Sequence, residues 1–250
     1  MANQKLLSIG TNPKLTKSDQ LGQYLTAGLS LAPATLSGRN LCPMAKAAGC
    51  IEGCLNTAGR GAMNSVQRAR LKKARFFNED RPAFMDQLAV ELAGFEGLCR
   101  KRGVRPAVRL NVISDVAWER VKATGGTLFQ LFPEIQFYDY TKRPVSRLDY
   151  VRDNVPNYHL TWSYSEASEK YSAQLPGILA AGHNAAVVFD TKKGQALPDR
   201  FRRDWYIVTH PVIDGDLNDL RFLDPSPCVV GLRAKGKARH DRSGFVVRDS

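Results

Sequence analysis

Seven runs of apolar and β-favouring residues recur along the chain, at 24–32 (YLTAGLSLA), 105–113 (RPAVRLNVI), 134–140 (EIQFYDY), 157–164 (NYHLTWSY), 184–190 (NAAVVFD), 205–210 (WYIVTH) and 228–234 (CVVGLRA). Most are separated by a helical or loop segment of the length that a right-handed parallel crossover requires. Few folds satisfy that alternation. It predicts an α/β chain of about six to seven mostly parallel strands curled into a complete or partial (β/α) barrel, with a doubly wound αβα sheet as the other arrangement. In either, functional side chains gather where the strands end, at their carboxyl edge.

The connecting segments carry readable helix signals. Asp80 is placed as an N-cap and Pro82 sits in the first turn; Phe84, Leu88, Leu92, Phe95 and Cys99 then recur at steps of three and four until Gly103. Cys99 thus falls on an apolar stripe and reads as a core thiol. A basic helix is expected over 64–77, and Asp115 is placed to cap a further helix, VAWERVKA, ending at Gly125 and Gly126. Shorter helical segments follow at 145–151 and from Ser165 or Ser168 towards Ala181, broken near Pro176. The first twenty or so residues are polar. The expected division is an arm over 1–23 and one barrel-like domain over 24–250.

One stretch commits to a chemistry. After the first strand, LCPMAKAAGCIEGCLNTAGRG at 41–61 holds three of the five cysteines, Cys42, Cys50 and Cys54, in the spacing C-x7-C-x3-C. Gly49 and Gly53 each precede a cysteine, where a backbone without Cβ can turn sharply. Three convergent thiolates suit a [4Fe-4S] cluster, which takes one soft ligand per iron and so keeps a corner open for another ligand. Tetrahedral zinc competes, although the chain has no C-x2-C pair and no histidine within a hundred residues of the trio. A metal-free trio on a loop is the plainer arrangement.

The strand ends supply the remaining candidates. Asn111, Ser114 and Asp115 follow one strand, Asp139, Tyr140 and Lys142 another, Ser163, Ser165 and Glu166 a third, and Asp190, His210, Asp214 and Asp216 later ones. Asp, Ser and Asn are favoured at such junctions as caps and turn formers in any case. Lys142 stands apart, since no turn requires a lysine between Thr141 and Arg143. From this set Asn111, Lys142, Ser163 and Ser165 are expected to orient a ligand beside the cysteines. The acidic loop at 214–219 (DGDLND) lacks the EF-hand spacing and its glutamate, so it reads as a turn. His210 and Cys228 read as structural.

Net charge of +12 suggests an acidic partner, nucleic acid or another polyanion, or a phosphorylated molecule. The charge is clustered at 68–75 (RARLKKAR) and 233–242 (RAKGKARHDR). No window reaches the apolar length of a membrane span and the first residues carry no apolar leader, so a soluble cytoplasmic protein with no membrane partner is expected. Persistent disulfides are disfavoured there.

Several motifs in this order carry a family likeness: the cysteine spacing, RLNVISDVAWE at 109–119, FYDYTKRP at 137–144, NYHLTWSYSE at 157–166, DGDLNDLRFLDP at 214–225 and GLRAKGKARHDRSGFVV at 231–247. Over nearly its whole length the chain resembles the gene product eighty-eight-like family of bacteriophage proteins. The resemblance implies a phage-encoded protein acting in an infected bacterial cytoplasm, with the family's cysteine motif on Cys42, Cys50 and Cys54 and with Cys99 and Cys228 outside it. A strand, a three-cysteine loop and βα repeats also resemble the architecture of radical S-adenosylmethionine enzymes, which implies a cluster whose open iron binds S-adenosylmethionine. The chain departs from that pattern in its cysteine spacing and in having no Gly-Gly-Glu run after the second strand. Two function classes are therefore expected. One is an iron-sulfur enzyme acting on a nucleic-acid or phosphorylated substrate; the other is a non-enzymatic protein, either an iron-sulfur redox or nucleic-acid-binding protein or a structural zinc protein.

Overall fold

The computed structural model describes residues 4–10, 19, 22–201, 203 and 210–248. Its first elements are strands β1 (Leu7–Ile9) and β2 (Tyr24–Leu29), then the cysteine loop and helices α1 (Asn64–Glu79) and α2 (Arg81–Arg102). β3 (Arg105–Arg109), a small hairpin of β4 (Lys122–Ala123) and β5 (Gly126–Thr127), α3 (Leu128–Leu131) and β6 (Gln136–Thr141) follow. Next come α4 (Val145–Asn154), β7 (Tyr158–Ser163), α5 (Glu169–Ser172), α6 (Leu175–Ala180) and β8 (Ala185–Phe189). β9 (Val212–Asp214), β10 (Val229–Arg233) and β11 (Val246–Val247) end the series.

Nine strands form one sheet in the order β1-β2-β3-β6-β7-β8-β10-β9, with β11 joined to β8. Every pairing in it is parallel except that of β1 with β2. From β2 to β8 spatial order is chain order, so each crossover steps to the neighbouring strand. Val188 and Phe189 of β8 pair with both β10 and β11, while Ala185 and Ala186 pair with β10 and β7. β11 therefore continues the slot that β7 vacates at Ser163.

Alternation along the strands sorts the sheet into two unlike faces. Leu25, Leu29, Val108, Phe137, Leu160, Trp162 and Val187 point to one side and pack with Phe84, Leu88, Leu92, Leu148 and Ile178 of the helices. On the other side Tyr24, Ala107 and Tyr138 meet Leu220 and Phe222, the Phe222 ring standing edge-on to both tyrosines at 5.2 and 5.5 Å. Arg109 and Asp219 form a buried ion pair of 2.8 Å there. The segment around 219–222 thus covers the face that the helices leave free.

Helix α2 forms as its sequence dictates. The Asp80 carboxylate accepts from the Ala83 amide at 3.1 Å, Gly103 ends the helix at φ 65°, and Arg100, Lys101 and Arg102 oppose the negative end of the dipole. Phe84, Leu88, Leu92, Phe95 and Cys99 are all buried. Each large apolar side chain so removed from water contributes about 1.5–3 kcal/mol. Among the described residues no helix is long and apolar enough to cross a membrane.

Elsewhere tertiary contacts override the local signal. No α-helix follows Asp115; that segment holds the 3-10 turn Trp118–Arg120 and the β4–β5 hairpin. Instead of capping, the Asp115 carboxylate accepts from the Thr141 hydroxyl, the Lys142 amide and Arg147, at 2.9, 3.0 and 3.0 Å. Asn111 meanwhile accepts from the Val116 amide and the Trp118 indole, pinning the would-be first turn to β3. Leu7–Ile9, read from sequence as part of an arm, is an edge strand on β2. Of the run at 205–210, all but His210 lies outside the described residues.

Candidate functional site

The parallel strands bring their carboxyl ends to one edge, and the cysteine loop, which leaves β2, folds over it. A cavity of ≈ 170 Å³ opens there, and Cys42, Cys50 and Cys54 all line it, together with Asn111, Lys142, Ser163 and Phe245. Three thiols and three of the four expected ligand-orienting residues thus share one space. Ser165 is the exception. It is buried, and its hydroxyl lies 2.7 Å from the Ala48 carbonyl and 3.2 Å from that of Gly244, so it ties down the loop.

The loop is built of turns and the 3-10 segments Leu55–Thr57 and Gly59–Ala62, and distant residues set its shape. The Asp115 amide donates to Leu41 O at 2.9 Å, and the Ser243 hydroxyl to Gly49 O at 2.7 Å. Gly49 has φ 60°, and a Cβ there would lie 2.6 Å from Ser243 Oγ and 2.7 Å from Ala167 Cβ. At Gly53 a Cβ would come within 2.9 Å of the Phe245 ring. Both glycines are therefore demanded by close approach of the chain's last segment, a second reason beyond turning. Past Cys54, Asn56 bonds Gln67 at 2.8 Å and Arg70 at 2.7 Å, fastening the loop to α1.

All five cysteines are free; the loop three are partly exposed and Cys99 and Cys228 are buried. Cys42 Sγ accepts from the Ala34 amide at 3.3 Å and lies 3.7 Å from Ile113 O. Burial pushes its thiol up to about 12, with Cys54 and Cys50 adding to the effect. Burial also raises Cys50 and Cys54, against the pull of Lys142 on both and of Arg70 on Cys54. Left to themselves the three stay protonated at neutral pH.

Lys142 is the cation turned on them. Its ammonium donates to Ser163 Oγ at 3.0 Å and Ser163 O at 3.2 Å and lies 4.7 Å from the Phe245 ring centre. Burial lowers its affinity for a proton, and Cys50 and Asp115 raise it. An anion in the cavity would relieve that desolvation. Asn111 has less to offer, since its side chain already bonds Ser114, Val116, Trp118 and Asp139. Burial raises the Asp139 carboxyl to about 7 while Arg109, the Asn111 amide and the Tyr158 hydroxyl hold it down.

Of the other sequence candidates Ser114, Asp115 and Tyr140 also line the cavity, and the later ones do not. Asp214 and Asp216 grip Arg233 at 2.9 and 3.3 Å, and His210 is not part of the lining. Of the cations on the basic helix only Arg70 reaches the loop; Lys73 is buried on Leu6 O at 2.6 Å and Arg68, Lys72 and Arg75 face outward. Sequence reasoning missed the last segment, whose Phe245 lines the cavity and whose Ser243 holds Gly49. The Val246-Val247 pair after a basic run was its one legible sign.

Among the described residues no three His, Cys, Asp or Glu side chains form a set that could hold a single ion. One tetrahedral zinc, with Zn–S near 2.3 Å, needs its sulfurs about 3.8 Å apart. A cubic cluster puts each thiolate on a different iron and spaces them by its own width. Cys42, Cys50 and Cys54 line one cavity, and thiolates are the soft donors that an iron-sulfur cluster takes, one per iron. The family model described as Gene product 88 matches residues 3–249. No curated protein and no solved structure matches the chain.

Proposed function

We propose, from the premise that this chain belongs to the Gene product 88 family, that it is an iron-sulfur protein of the infected bacterial cytoplasm. In this reading Cys42, Cys50 and Cys54 hold a [4Fe-4S] cluster with one iron open, over a sheet that forms the wall of a partial (β/α) barrel. The observation that carries it is the shared cavity of three thiols, roomier than one ion needs. A single water occupies roughly 10–15 Å³ of such space; the cavity has ≈ 170 Å³. What supports the barrel is that the helix residues of the main core pack on one sheet face while chain order runs from β2 to β8.

When bound, the cluster supplies one-electron reduction and an open coordination position for S-adenosylmethionine or another small ligand. The chain's own residues do the rest. Lys142 and Arg70 offset the negative charge of the thiolates, Ser163 fixes the Lys142 ammonium, and Phe245 keeps water from one side. Asn111 holds the floor rigid through its bonds to Val116, Trp118 and Asp139. The substrate class is a nucleic acid or a phosphorylated molecule, in keeping with the net charge of +12.

A second reading is favoured by the Asn111 contacts: with that side chain wholly committed, the cavity holds few free groups for substrate chemistry. There the cluster is a redox or structural element of a nucleic-acid-binding protein. Iron and acid-labile sulfide counted per chain in anaerobically prepared protein test both, with about four of each expected; one zinc and no sulfide would end them. Reductant and S-adenosylmethionine then separate the two, methionine or 5′-deoxyadenosine being formed only by the enzyme.

A further inference from the structure

The basic segment near the end of the chain is packed against the cysteine loop. Gly236 lies so close to Ala58 that a Cβ on it would meet Ala58 Cβ at 2.8 Å, and Ser243 bonds Gly49. Between loop and segment runs a groove lined by Glu52, Gly53, Lys237, His240, Asp241, Arg242 and Ser243. Gly53 lines this groove and the thiol cavity alike, so the two spaces are separated by little more than one strand of loop backbone.

The charges in the groove are free on one side only. Lys237 and Arg242 are exposed, and neither forms an ion pair among the described residues. The Asp241 carboxylate is turned inward, accepting from the Ser243 hydroxyl at 2.7 Å and the Val246 amide at 3.0 Å. Glu52, on the loop wall, is the one exposed carboxylate, and it pushes an anionic occupant toward the Lys237–Arg242 wall. No large apolar side chain lines the groove. Protein hot spots and inserted membrane faces centre on such an anchor; a phosphate backbone needs only cations.

We propose that this groove is a track for the phosphodiester backbone of a nucleic acid, with Lys237 and Arg242 neutralising its phosphates beside the thiol cavity. The proposal deepens the function above and rests on it for the presence of a centre behind Gly53. It also distinguishes the two basic clusters of the sequence: Arg68, Lys72 and Arg75 line up on the outer face of α1, whereas Lys237 and Arg242 border the site.

The test is fluorescence anisotropy of the full, anaerobically prepared chain with labelled single-stranded and duplex oligonucleotides across a salt series, iron being counted in every sample. For Lys237→Gln/Arg242→Gln the slope of log K against log salt should become shallower by about 1.4–1.8, at 0.7–0.9 per lost phosphate contact. Arg68→Gln/Lys72→Gln/Arg75→Gln should leave it unchanged. The proposal is overturned if neither oligonucleotide binds, if the α1 variant alone loses slope, or if heparin of matched charge binds as tightly and responds equally to the groove variant. Missing iron with the slope change intact would sink the cluster and leave the groove; full iron with an unchanged slope would do the reverse.

Discussion

Helix α2 and the cysteine loop stand on either side of α1 in the sequence and are opposites in construction. Along α2 every determinant is local: a cap, a proline in the first turn, an apolar stripe and a terminal glycine lie within 24 residues, 80–103. The loop at 41–61 has turns and 3-10 segments instead, and its carbonyls are held by Asp115, Ser165 and Ser243, from three separate parts of the chain. The difference teaches that the helix is stabilised by burial of its own side chains and the loop by groups it does not contain. Damage to the first should therefore cost stability, and damage to the second should cost the site.

The largest effect expected is at the loop thiols. Cys42→Ala, Cys50→Ala or Cys54→Ala is each expected to abolish the brown absorption of the proposed cluster while the fold persists; full iron in any one of them removes that sulfur from the proposed centre. Loading should also follow pH, because thiols held protonated by burial must each lose a proton to bind. Iron retained after reconstitution is expected to rise from about pH 6 to about pH 8.5, and a flat profile would mean that the thiols do not take part.

Phe95→Ala probes the other region. Emptying that buried site should cost about 3–5 kcal/mol in denaturant unfolding, with iron per folded chain unchanged. Ser165→Ala should give the converse pattern. It strips the Ala48 carbonyl and the Ala167 amide of their partner, a loss of about 1–3 kcal/mol, and faster loss of iron in air is the more telling readout. If it unfolds the protein no more easily and holds iron as well as the parent, the loop is not tied as described. The smallest effect is at Cys99→Ala, about 1 kcal/mol of packing with iron intact. Equal iron loss there would erase the distinction between the two cysteine groups.

What could be read from the sequence follows the same division. The α2 stripe, the parallel strands and the convergence of Lys142 and Ser163 on the cysteines come from short-range patterns and the carboxyl-edge rule. The helix expected after Asp115 was wrong because Arg147, Thr141 and the Lys142 amide compete for that carboxylate, and none of them is near it in sequence. Ser165 looked like a ligand-facing residue for the same reason: its partner, Ala48, stands 117 positions away. Phe245 escaped notice altogether, since a single aromatic residue in a basic stretch has no periodicity to betray it.

The bond from Ser243 to Gly49 joins residues 194 positions apart. A ribosome adding about 5–20 residues each second needs some 10–40 s to travel between them, and domains generally fold as units. For that interval the newborn loop lacks the segment that closes over Gly49, so its final shape waits on nearly the whole chain. The order of biogenesis is thus written into the wiring: sheet first, loop last.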